Sequence, residues 1–140
     1  MAYFVTGATG FIGQFLVRNL LKRGQPIYVL VRKGSVKKLE ALREQWGADA
    51  RTVIPVIGDL GKKNLGVADA DVRKLKGKID HFFHLAAIYD LKASAEDQQA
   101  ANVDGTRNAV GLAQAVNAGC FHHVSSIAAA GLYEGVFRED

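Results

Sequence analysis

Apolar positions along the chain switch repeatedly between the two-residue period of a strand and the longer period of a helix. Residues 2–6, AYFVT, are a β-branched and aromatic run, which predicts a buried strand. After a glycine-rich interval, FIGQFLVRNLLKRG sets Phe11, Phe15, Leu16, Leu20 and Leu21 at helical spacing, and Gly24 behind basic residues predicts the helix end. PIYVLV at 26–31 then reads as a second buried strand, and VKKLEALREQWG as an amphipathic helix closed by Gly47. The alternation continues with TVIPVIGDL as a third strand, ADVRKLKG as a short helix or turn, and IDHFFHLAA as a fourth strand. AEDQQAANVDGTRNAVGLAQAVNAG predicts a long helix, and FHHVSSIAAAG a fifth strand running into a loop.

Apolar strands separated by helices predict a parallel, doubly wound α/β sheet with right-handed crossovers, because a parallel sheet must be covered on both faces. Pro55 lies inside the third strand and cannot donate a ladder hydrogen bond, so that strand belongs at an edge. The implied strand order is 3-2-1-4-5. No repeat, low-complexity tract or linker interrupts the pattern, and residues 1–140 read as one folding unit.

Composition narrows the class without naming an activity. The chain has 140 residues, 49% hydrophobic and 23% charged, which suits one globular domain. No apolar tract reaches the roughly 18 residues needed to span a bilayer. No basic segment precedes an apolar one at the start, so no secretion signal is read and the cytoplasm is the default expectation. A single cysteine, Cys120, excludes an internal disulfide and reads as a packed thiol in an apolar setting. The net charge of +4 comes from pairs such as Lys37-Lys38 and Lys62-Lys63 and from RKLKGK at 73–78. These lack aromatic interleaving or a DNA-reading motif, so they read as solvated surface and no nucleic-acid partner is expected.

The stretch TGATGFIG at 6–13 carries the chemistry. Between a strand and a helix, a first glycine permits a tight turn, the next lets backbone approach a pyrophosphate, and the last lets the helix pack against the strand. Gly7, Gly10 and Gly13 fit those roles, and the following helix N-terminus offers N–H groups and its positive dipole end to phosphates. An acidic residue at the end of the second strand would read the ribose 2′-hydroxyl of NAD; this chain has Arg32 there, whose planar fork suits the 2′-phosphate of NADP. NADPH is therefore expected over NADH.

TGATGFIG, with its G-x-x-G-x-x-G spacing, resembles the extended short-chain dehydrogenase/reductase superfamily, which has a Rossmann-type fold. Four further motifs follow in the superfamily's order: GDL at 58–60, HLAA at 84–87, NVDGT at 102–106 and VSSIAAAG at 124–131. The resemblance implies cofactor contacts from Gly7, Thr9, Gly10, Phe11, Ile12, Gly13, Asp59, Leu60, Leu85, Ala86 and Ala87. It extends them to Val124 and Ser125, makes Asn102 a structural asparagine, and makes Ser126 the catalytic hydroxyl residue. The segments at 28–49, 79–90 and 121–140 look like the N-terminal part of bacterial alcohol-forming fatty acyl-CoA reductases, and the LVR strand end is shared with thioester reductases. That likeness implies NADPH-dependent reduction of a fatty acyl thioester or fatty aldehyde. It also implies a homo-oligomer through the helix near 94–118 and peripheral membrane contact through a lipid substrate.

The superfamily's proton transfer uses a tyrosine with a lysine four residues later. Tyr133 is followed at that distance by Phe137, Tyr89 by Ala93, Tyr3 by Gly7, and Tyr28 by Arg32 on a strand. The expectation is an N-terminal fragment of a longer reductase, cut before the catalytic Tyr/Lys helix, that binds cofactor without turnover. A sugar-nucleotide epimerase or dehydratase shares the glycine, asparagine and serine motifs, and a non-catalytic NADP sensor would also lack the pair. His81, His84, His122 and His123 have no metal-ligand spacing and read as strand-end residues capped by backbone groups, so no metal is expected. Tyr89 and Asp90 follow the fourth strand, where open sheets hold ligands, and Trp46 reads as packing.

Overall fold

The computed structural model describes residues 1–87, 94, 96, 99–126, 131, 132, 134–136 and 138. Its elements follow the hydrophobic pattern: β1 (Tyr3–Thr6), α1 (Phe11–Leu21), β2 (Ile27–Val31), α2 (Val36–Trp46), β3 (Val53–Ile57), α3 (Asp69–Leu75), β4 (His81–His84), α4 (Gly105–Ala115) and β5 (Cys120–His123). The five strands form one parallel sheet in the order β3-β2-β1-β4-β5. This is the doubly wound Rossmann-type arrangement, and Pro55 sits on the edge strand as its missing donor requires.

The central strand is buried along its whole length because both its faces are covered. Alternate residues divide between two cores. Tyr3 and Val5 pack with Val17 and Leu20 of α1, Ile27 and Val29 of β2 and Leu39 of α2, with Trp46 partly buried beside them. Phe4 faces the other way, into a cluster with Phe82, Leu112 and Val116, and its ring stacks on Phe82 at 4.6 Å. Burying a side chain of this size contributes roughly 1.5–3 kcal/mol, so the two layers hold the sheet's carboxyl ends in fixed register.

Two boundaries differ from the sequence reading. The expected long helix through residue 119 ends at Ala115, because Asn117 turns into the left-handed region at φ +53 and Ala118 N–H returns to the Ala113 carbonyl. Asparagine tolerates that conformation better than other side chains carrying a Cβ, which makes it the stop. At the other end, Gln99–Asp104 winds as a wider π-type segment before α4 begins. There Thr106 Oγ1 donates to the Asn102 carbonyl at 2.6 Å, competing with the backbone for that acceptor. Cys120 is also not packed as expected: it opens the edge strand β5 and is exposed.

Candidate functional site

The carboxyl ends of β1, β2, β3 and β4 surround a cleft of ≈ 480 Å³. Its floor is the loop after β1. Gly7 leaves the strand at φ +74, and a Cβ there would come within 2.8 Å of Ala86 N and 2.9 Å of the Leu85 carbonyl carbon. Only glycine therefore lets the loop press against the end of β4. Gly13 is buried on α1, and a Cβ on it would overlap the Gly7 carbonyl oxygen and lie 2.7 Å from Ala8 Cα, so its helix can approach the loop only without a side chain. Gly10 N–H donates to the Gly7 carbonyl at 3.0 Å and closes the turn.

Gly10 is also the N-cap of α1 and offers no side-chain cap. The N–H groups of Phe11, Ile12 and Gly13 in the first turn have no intrahelical acceptor, and no acidic side chain occupies that turn. The positive end of the helix is thus available to an anion lying over the glycine loop. Phe11 and Ile12 themselves present exposed side chains, and the Phe11 ring meets Phe15 edge-on at 5.2 Å.

The cleft gathers residues from each strand end. Gly7, Thr9 and Gly10 come from the β1 loop; Arg32 and Ser35 from the turn after β2; Asp59 and Leu60 from the segment after β3; Leu85, Ala86 and Ala87 from the end of β4. Arg32 is exposed at the rim and makes no ion pair among the described residues. Asp59 accepts Gly61 N–H at 3.0 Å, which curls the segment into a tight turn. Asn108 of α4 donates to the Leu60 carbonyl at 2.8 Å and ties that turn to the helix. Asn102 adjoins Ala101, which lines the cleft. Val124, Ser125 and Ser126 follow β5 and are exposed outside its lining; Val124 N–H extends the ladder to the His84 carbonyl at 3.1 Å. Tyr89, Asp90 and Tyr133 lie outside the described residues.

Beneath the rim runs a buried polar chain. Thr6 and His84 are the buried polar side chains among the described residues, 0% and 1% exposed. Thr106 spends its proton on the Asn102 carbonyl, so the His84 Nε2 contact to Thr106 Oγ1 at 3.2 Å requires Nε2–H to be the donor. His84 Nδ1 is then an acceptor and takes the Thr6 hydroxyl proton at 2.7 Å. Thr6 Oγ1 in turn accepts Ala86 N–H at 3.2 Å. The proton order is fully specified from Ala86 through Thr6, His84 and Thr106 to Asn102, and it pins the β4 rim of the cleft to the glycine strand and to the start of α4. Burial, with the charge of the neighbouring His123 adding to it, pushes the His84 pKa down to about 4, so the ring is neutral near pH 7. His84 is thus a buried bridge between hydroxyls rather than a strand end capped by backbone groups. Ser35, Asn108 and the two threonines were not visible as site residues from local sequence. Of these, only the threonines fell within motifs, Thr6 as the first residue of the glycine stretch and Thr106 as the last of NVDGT, and neither motif assigned them a role.

These residues can hold a dinucleotide: bare backbone and a helix N-terminus for its pyrophosphate, and a cationic rim beside the second strand. A profile of the male sterility protein family, an NAD-binding family, matches residues 5–140. A component of the linear gramicidin synthase of Brevibacillus parabrevis is 36% identical over 135 residues, covering 90% of this chain and 3% of that protein. The putative fatty acyl-CoA reductase CG8306 of Drosophila melanogaster is 33% identical over 142 residues, covering 88% of this chain and 27% of that protein. Among solved structures, the terminal R domain of the myxalamid PKS-NRPS biosynthetic pathway superposes with a TM-score of 0.75 at 31% identity, over 91% of this chain and 35% of that domain. The chain therefore spans less than a third of the length of either the synthase component or the Drosophila protein. The glycine loop, the strand order and the match along nearly the whole chain together show that the chain belongs to the male sterility protein family, the NAD(P)-binding reductase domains of extended short-chain dehydrogenase/reductase type.

Proposed function

We propose that this chain is the NADPH-binding part of an oxidoreductase that reduces a fatty acyl thioester or fatty aldehyde. The observation that carries the coenzyme choice is Arg32: it stands at the end of β2 across the cleft from the glycine loop, where a 2′-phosphate would lie, and no acid replaces it. Gly7, Gly10 and the first turn of α1 would hold the pyrophosphate, and Asp59 and Leu60 would border the adenine. The coenzyme supplies a hydride. The chain's residues supply its placement: Leu85, Ala86 and Ala87, fixed through Thr6 and His84, form the wall toward the reacting end of the cleft. The Drosophila relative's name supports an acyl-CoA substrate. Such a reduction would turn the thioester into an aldehyde with departure of the thiolate, and the aldehyde into an alcohol with a second hydride and a proton. Ser126 would hydrogen-bond the carbonyl oxygen. With no tyrosine and lysine at the four-residue spacing, the isolated chain is expected to bind coenzyme without measurable turnover.

Calorimetric titration with NADPH and with NADH, repeated on Arg32→Ala, tests the coenzyme reading. A charge-assisted contact to phosphate is worth roughly 1.5–3 kcal/mol, so NADPH affinity should fall at least about tenfold in the variant while NADH affinity changes little. Equal NADPH and NADH affinities in the native chain would overturn the choice. Assays of a longer polypeptide containing this chain, with long-chain acyl-CoA and with fatty aldehyde, test the substrate.

A further inference from the structure

Three side chains of metal-ligating chemistry meet on one face of the sheet, where β4 pairs with β5 and at the far end of β4 from the cleft. Parallel pairing sets His81 opposite Cys120 and Phe83 opposite His122. Residues two apart on a strand share a face, so His81, Cys120 and His122 all project to the same side. His81 Nδ1 lies 2.9 Å from His122 Nε2, and a ring nitrogen of each histidine and Cys120 Sγ all lie within 4.8 Å of one another. The His122 ring stacks on Phe83 at 4.4 Å and 11°, and the His81 ring lies 6.0 Å from Tyr3 and 6.2 Å from Phe83. Apolar rings thus orient both imidazoles, while Cys120 is exposed and leaves the cluster open to solvent.

We propose that His81, Cys120 and His122 form a binding site for a zinc-class divalent cation, with water as the fourth ligand. Two imidazoles and a thiolate are the donor set that such a cation prefers over the oxygen ligands of magnesium or calcium. At zinc–nitrogen distances of about 2.05 Å, tetrahedral coordination needs the two nitrogens about 3.3 Å apart and each about 3.6 Å from the sulfur. The nitrogens must therefore part by about 0.4 Å and the sulfur close by at most about 1.2 Å, movements within side-chain rotation. The proton now shared by the two facing nitrogens moves to the other nitrogen of its own ring, and the thiol proton leaves to solvent as the thiolate binds. Cys120 and His122 stand two apart on β5, and the third ligand, His81, comes from β4, which only the sheet brings beside them.

The test is a zinc titration of the chain against a chromophoric chelator, paired with Co²⁺ binding followed by absorbance. One equivalent of zinc should bind. Cys120→Ser and His122→Gln should each weaken it on the order of 100-fold, and the cobalt form should show a thiolate-to-metal charge-transfer band that Cys120→Ser abolishes. Cys120 is exposed, so its substitution leaves the fold intact, and matched far-UV circular dichroism verifies this. A native dissociation constant weaker than about 100 µM, or less than about a tenfold loss in Cys120→Ser, overturns the assignment.

Discussion

Replacing Thr6 by valine keeps the side chain's shape and branching and deletes one hydroxyl. In the fold that hydroxyl donates to His84 Nδ1 at 2.7 Å and accepts Ala86 N–H at 3.2 Å, with Thr6 0% and His84 1% exposed. The His84 nitrogen is shut off from water while the Ala86 amide, at the cleft wall, is only partly so, and the variant leaves a buried acceptor and a partly buried donor without their partner. Each costs about 1–3 kcal/mol, the half-buried Ala86 amide at the low end, for a total of about 3 kcal/mol. With an unfolding entropy of about 2.1 cal/mol/K per residue, that loss lowers the melting midpoint by about 10 °C for a chain of 140 residues. Thr6→Ser keeps the hydroxyl and loses only a methyl, and should cost about 1 kcal/mol. Urea and thermal unfolding of the three proteins measure this directly. Because Ala86 lines the cleft, the valine variant should also bind NADPH more weakly below its midpoint than the serine variant does. A Thr6→Val protein within about 0.5 kcal/mol of native, or a serine variant no more stable than the valine one, would refute the hydrogen-bond chain.

Three further outcomes follow from the fold. The His84 pKa of about 4 lies below its ordinary 6.5, so between those values the unfolded chain takes up a proton that the folded chain refuses. Stability is complete above about pH 6.5, falls as pH drops through the window and levels off below about 4, for a total near 3 kcal/mol; pH-dependent urea denaturation should show it, and a flat profile there would contradict a buried neutral ring. Asp49, held to about 2 by hydrogen bonds from Thr52 and Arg51, adds a separate loss below pH 4. Gly13→Ala should destabilise by about 2–3 kcal/mol, since its Cβ would overlap the Gly7 carbonyl oxygen, whereas Gly34→Ala meets nothing within 4 Å and should be neutral in the same melt.

The strand and helix alternation, the strand order and the glycine loop are legible in the amino-acid order, because periodicity, a misplaced proline and glycine spacing are all local marks in the sequence. A run such as YFVT can be buried on both sides only in the middle of a covered parallel sheet. Pro55 is compatible only with an edge, and Gly7 and Gly13 are excluded from carrying a side chain by backbone within a turn of their own position or one strand away. Arg32 was legible at the end of β2 because its place relative to the glycines is a matter of chain length. Whatever depends on residues far apart meeting came instead from the folded arrangement. It placed Asn108 on the Leu60 carbonyl, turned His84 from a strand-end residue into the bridge between Thr6 and Thr106, and set His81 against Cys120 and His122. It left Cys120 in solvent, since β5 lies at the sheet's edge. Hydrophobic periodicity records which face of an element is buried. It carries no record of which polar atom lies opposite across a strand pair, because that is set by sheet register and helix docking, and hydrogen-bond partners are chosen at that scale.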